Sequence, residues 1–147
     1  MPEKETLDKA RKAKREGKAP TTQAGAFVEE EIEHIREGKH GARSTKQAIA
    51  IGLSKARRAG VKLPPPPKSA SERTKSSAKS ATRRKGKRPS AARSRAAKAA
   101  LKDESRSAAS PTALSRHAKQ VARRRPKSAR KASAKRAAKT RARTARR

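Results

Sequence analysis

The chain has 147 residues, and its 44 Lys and Arg stand against 12 Asp and Glu for a formal charge of +32. Alanine supplies 31 of the hydrophobic residues, Phe27 is the only aromatic and there is no cysteine, which excludes a large apolar core, base stacking on aromatic side chains and any disulfide or thiolate site. No apolar run approaches the roughly 18 residues that cross a bilayer, and none near Met1 suits a secretory signal, so the expected location is the cytoplasm.

Residues 1–19 read as a short charged helix or arm. Leu7–Arg15 follows Thr6 as a cap and stops before Gly17. Residues 20–63 read as a helical hairpin. Its first helix starts after Thr21 and Thr22, carries Phe27, Val28, Ile32 and Ile35 at helical spacing, and ends at Gly38. Glu29, Glu30, Glu31 and Glu33 are expected on its solvated side. The second helix opens on Ser44 with Gln47 three residues later, a capping-box pattern. Ile49, Leu53 and Ala56 are its predicted buried stripe, Gly52 offers close helix contact, and Gly60-Val61 predicts a Schellman ending. A loop containing Gly38 and Gly41 turns one helix back on the other. Such a hairpin buries little, so the module is expected to form a homodimer or bind a protein partner.

Pro64–Pro67 predicts a polyproline spacer of about 12 Å. Charge then shifts sharply: residues 1–63 hold 15 basic and 9 acidic residues, and 64–147 hold 29 and 3. Leu101, Leu114 and Val121 are the only larger aliphatics after the prolines, and on that basis 68–147 is predicted to be a long disordered basic tail. Pro89, Pro111 and Pro126 divide it, and Ala91–Lys102 and Lys127–Ala145 are predicted to turn helical once phosphate removes their self-repulsion. The expected fold is thus a small all-α module followed by a disordered tail.

Residues Arg43–Gly60 (RSTKQAIAIGLSKARRAG), with Gly38-Lys39-His40-Gly41 before them, resemble the signature of small basic bacterial proteins in an uncharacterised domain family, over about residues 20–63. The tail is similar in composition to linker-histone and bacterial histone-like tails, and that resemblance implies DNA neutralisation and compaction at the nucleoid. The charge itself points to a polyanion, because each Lys or Arg that meets a phosphate releases a condensed counterion. Seventeen of the 29 basic residues after residue 63 are Arg, whose planar fork grips phosphate with two bonds. Candidate nucleic-acid contacts are Arg43, Lys46, Lys55, Arg57, Arg58 and Lys62 on the module. In the tail they are Arg83, Arg84, Lys85, Lys87, Arg88, Arg123, Arg124, Arg125, Lys127, Arg130, Lys131, Lys135, Arg136, Lys139, Arg141, Arg143, Arg146 and Arg147. Duplex DNA is the favoured partner; an RNA or ribosome-associated role, and a protein adaptor with a localising tail, are the alternatives.

An enzyme is not expected, and neither is a cofactor. Glu31 and His34 have the i, i+3 spacing of carboxylate-bridged metal helices, yet one such pair lacks the further ligands those sites need, and Glu30, Glu31, Glu33, His34, Glu37 and His40 are read as a solvated face. No serine sits in a nucleophile elbow. Ser90, Ser128 and Ser133 are candidates for phosphorylation, which would subtract positive charge locally.

Overall fold

Alanine, lysine and arginine are among the strongest helix formers, and a chain made largely of them turns helical wherever proline and glycine permit. A computed structural model describes residues 2–86 and 90–145, with side chains described up to residue 142. Seven α-helices occupy them: α1 (Lys4–Arg15), α2 (Pro20–Arg36), α3 (Thr45–Arg58), α4 (Glu72–Arg83), α5 (Ala91–Lys102), α6 (Pro111–Arg124) and α7 (Lys127–Ala145). A single 3-10 turn, Arg106–Ala109, lies between α5 and α6.

The hairpin forms, with sharper punctuation than expected. Ser44 Oγ accepts the Gln47 N–H at 3.2 Å, while Gln47 Oε1 reaches one residue past the cap to accept the Arg43 N–H at 2.9 Å. At the other end of α3, Gly60 takes φ +95°, its N–H bonds to Arg57 O, and the Val61 N–H bonds to Ala56 O at 3.0 Å, the two bonds of a Schellman motif. Helix α2 begins differently from the expectation: Ala19 occupies the cap position without a side-chain bond, and Pro20 sets the first turn.

Helix α3 is also rotated from its predicted register. Its buried face is Thr45, Ala48, Gly52 and Ala56, and Ile49 and Leu53 are only half-buried. The small residues win this face because they let α3 approach α2: a Cβ at Gly52 would lie 2.8 Å from Val28 Cα and 2.9 Å from Phe27 O. Phe27 and Ile35 are fully buried. Ala10, Ala24 and Ala56 surround Phe27, and Leu7, Leu53, Val61 and Leu63 close over them.

The long disordered tail is not found. Past the prolines four α-helices and the 3-10 turn take up most of the described residues, and the chain divides between Ser110 and Pro111, not at residue 64. Helix α4 packs on α3, burying Ala78 and Ala81, and the Gly86 N–H bonds to Arg58 O at 3.0 Å. Ser71 and Ser90 cap α4 and α5 by accepting the Thr74 and Arg93 N–H groups. The end of α5 and the segment after it return to the hairpin loop: Leu101 O accepts from Gly41 N–H at 2.7 Å, Ser105 O from Ala42 N–H at 3.0 Å, and Ala108 O from the buried Thr45 hydroxyl at 2.6 Å. Ala108 and Ala109 are thereby buried. Order arises here from alanine packing and capping serines, both invisible to a criterion that counts only larger aliphatics. The predicted limits of the helical pieces, Ala91–Lys102 and Lys127–Ala145, match α5 and α7, but these are helices of the chain itself.

The second unit consists of α6 and α7, each opened at a proline boundary. Half-buried Ala113, Leu114 and His117 recur at helical spacing on α6, with Val121 exposed one turn further. Helix α7 is exposed along almost its whole described length.

Candidate nucleic-acid interface and buried acid cluster

The described residues among those predicted lie in both units and differ in exposure and pairing. On α3 and its flanks, Lys46, Arg58 and Lys62 are exposed. Arg43 is exposed and pairs with Glu104 at 3.3 Å. Arg57 is half-buried and donates from Nη2 to Pro64 O at 3.0 Å, and burial lowers its pKa. Lys55 is withdrawn from the surface set: its Nζ lies 2.6 Å from Glu31 Oε2 and 3.2 Å from Glu30 Oε1, with only 20% of its side chain exposed. Arg83, Arg84 and Lys85 stand exposed where α4 ends. In the second unit Arg123, Arg124, Arg125, Lys127, Arg130, Lys131, Lys135, Arg136, Lys139 and Arg141 are all exposed. Lys87, Arg88, Arg146 and Arg147 fall outside the described residues, as does the side chain of Arg143.

At about 1.5 Å per residue, the 19 residues of α7 make a rod of about 28 Å. Its cations point around most of the circumference, since Lys127, Arg130, Lys131, Lys135, Arg136, Lys139 and Arg141 fall on many bearings of a 3.6-residue helix. Such a rod can meet phosphates from several sides without a fixed rotation, which suits neutralisation better than base readout.

The acid face of α2 is the larger departure from expectation. Glu29, Glu33 and Glu37 are solvated, but Glu30 is 3% exposed and Glu31 fully buried. Glu31 shares a stripe with Phe27 and Ile35, at i−4 and i+4, and that spacing in the sequence was the available signal for its burial. Glu30 is well served: Oε2 accepts the Glu3 N–H at 3.1 Å and Oε1 meets Lys55. Burial raises its pKa, but the Thr6 hydroxyl, the Glu3 N–H and Lys55 together outweigh that, so the net shift is downward. Glu3 is held low as well, first by its hydrogen bond with His34 and then by Lys39. Lys39 in turn is raised, chiefly by Glu37.

Around Glu31 the contacts are incomplete. His40 Nε2 lies 3.3 Å from Oε1, and Lys55 touches Oε2 without the alignment of a hydrogen bond, so neither buried oxygen accepts one. His34 Nε2 stands 2.9 Å from Glu3 Oε1, and His40 Nδ1 stands 3.1 Å from Gly41 O. The two rings meet edge to face with centroids 6.2 Å apart.

A family of unknown function, DUF6496, matches residues 10–69. The matched stretch carries Glu30, Glu31, His34, His40 and Lys55 together, and stops before α4. No curated protein and no solved structure matches the chain. Among the described residues no helix is long and apolar enough to cross a membrane.

The downward shift at Glu30 gives a prediction. A carboxylate whose folded pKa lies below its unfolded value stabilises the fold fully above the unfolded value, and that contribution disappears as pH falls through the folded one. Thermal melts should therefore show stability falling as pH drops below about 4.5, the ordinary carboxyl value. Glu30→Gln should flatten that fall while lowering stability at pH 7. An unchanged pH profile in the variant would refute the assignment.

Proposed function

We propose that the chain binds nucleic acid without strong sequence preference, duplex DNA first, by laying its cationic helices on the phosphate backbone. The observation that carries this reading is the second unit: residues 111–147 hold 15 Lys and Arg and no Asp or Glu, and the described ones are displayed on exposed helix. Every phosphate so neutralised releases a counterion, and the binding free energy is drawn from that release. Arg43, Lys46, Arg58, Lys62, Arg83, Arg84 and Lys85 add exposed cations on the first unit. Lys55 is not part of it, being held by Glu30 and Glu31.

Duplex is favoured over single strands because Phe27, the one aromatic, is fully buried, leaving no ring on which an unpaired base can stack. The composition of the basic half, similar to histone-like tails, supports compaction at the nucleoid as the cellular role. The reading involves no catalysis.

Anisotropy titrations of the full chain with duplex DNA, structured RNA and heparin across salt test the proposal. The expected result is tighter binding to duplex DNA and a straight line of log K against log salt. Replacing Arg130, Lys131 and Lys135 by glutamine should shrink its slope by about 0.9 for each phosphate that these side chains neutralise. A marked preference for RNA would move the chain to the RNA or ribosome-associated reading, and failure to bind either nucleic acid in dilute buffer would end both.

A further inference from the structure

We infer that Glu31, His34 and His40 form a binding site for a divalent transition-metal ion of zinc type. One ligand atom from each, a carboxylate oxygen and two ring nitrogens, lie within 4.8 Å of one another. Two histidines and one carboxylate are a donor set that zinc and related borderline cations accept, with a further position left for water.

Three observations carry the assignment beyond proximity. The first is spacing: two ligands at about 2.0–2.1 Å from a tetrahedral metal sit about 3.3 Å apart, and His40 Nε2 and Glu31 Oε1 are already 3.3 Å apart. The second is orientation. Metal-bound histidines keep the other ring nitrogen on a carbonyl or carboxylate oxygen, which fixes the tautomer. His40 Nδ1 is set on Gly41 O and thereby turns the lone pair of Nε2 toward Glu31, and His34 keeps one ring nitrogen on the Glu3 carboxylate. With His40 in that tautomer, Nε2 and Oε1 present lone pairs to each other, an arrangement that a shared cation relieves.

The third is the state of Glu31. A fully buried carboxylate whose oxygens accept no hydrogen bond is costly unless something positive completes it, and Lys55 reaches only Oε2. Local charge also favours a cation in spite of the +32 of the whole chain: Glu3, Glu30, Glu31 and Glu37 face Lys39 and Lys55 here, four carboxylates against two amines. The metal would tie the α2–α3 loop, through His40, to the middle of α2.

Zn²⁺ is the probe. The full chain at pH 7 should bind one equivalent in calorimetry and melt at higher temperature when loaded, as any ligand specific to the folded state requires. His34→Gln and His40→Asn should each weaken binding at least tenfold, and His117→Asn should not. Lys55→Gln should tighten it by removing a competing positive charge. Because the histidine variants perturb a packed region, the imidazole resonances of the unaltered protein give an independent readout: Zn²⁺ should shift those of His34 and His40 and leave His117 in place. Absence of binding, binding indifferent to His34 and His40, or shifts confined to His117 would each overturn the site.

Discussion

Lys55→Met should lower the unfolding free energy at neutral pH by about 3–5 kcal/mol, far more than loss of any solvated lysine in the chain. The reason is what the substitution leaves behind. Lys55 Nζ is the ammonium that meets both Glu31 Oε2 at 2.6 Å and Glu30 Oε1 at 3.2 Å, and those two side chains are 1% and 3% exposed. Exposed pairs such as Lys9–Glu5 or Lys75–Glu72 contribute little, because water screens them. Removing the partner of a buried carboxylate instead leaves its desolvation uncompensated. Urea unfolding of the single variants and of Glu31→Leu/Lys55→Met provides the check. The double variant should recover only the part of the loss owed to Glu31, since Glu30 stays buried without its lysine. If Lys55→Met costs no more than Lys46→Met, the network is not stabilising as described. If the chain binds DNA as proposed, Lys55→Met should bind it as the unaltered protein does wherever both are folded, because this lysine is held by Glu30 and Glu31.

The same residues show what sequence alone reveals. The caps of α3 were legible at both ends, as Ser44 with Gln47 and Gly60 with Val61 are local signals that need no tertiary knowledge. The limits of α5 and α7 were equally legible, since proline bounds segments of strong helix formers. Order in the basic half was not, because it depends on alanines such as Ala78, Ala81, Ala108 and Ala109 filling close contacts, and alanine looks the same in a solvated helix. Which glutamates turn inward was half legible. Glu31 shares the Phe27–Ile35 stripe, but Glu30 is drawn in by Glu3 and Lys55, residues 27 and 25 positions away. His40 likewise joins the cluster only because the loop after α2 folds back, a consequence of where Gly41 docks.

That docking predicts the second large effect. Gly41→Ala should cost about 1–3 kcal/mol, with the damage concentrated at the α2–α3 loop and the turn after α5. A Cβ at Gly41 would collide with the carbonyl of Glu104, and backbone cannot swing aside as a side-chain tip can. To relieve the clash the 101–109 segment must withdraw, which breaks Gly41 N–H to Leu101 O, Ala42 N–H to Ser105 O and the buried Thr45 hydroxyl bond to Ala108 O, and uncovers Ala108 and Ala109. Hydrogen exchange localises the effect: the amides of Gly41 and Ala42 should lose protection while those inside α2 keep theirs. Gly25→Ala is the internal control. A Cβ there meets nothing within 4 Å in mid-α2, so that change should stabilise by about 0.5–1 kcal/mol, since alanine has less chain entropy to lose in a helix. Opposite signs at two glycines separate a steric requirement from a general response to alanine, and equal protection of Ala42 in Gly41→Ala and the unaltered chain would show that the segment after α5 does not hold the loop.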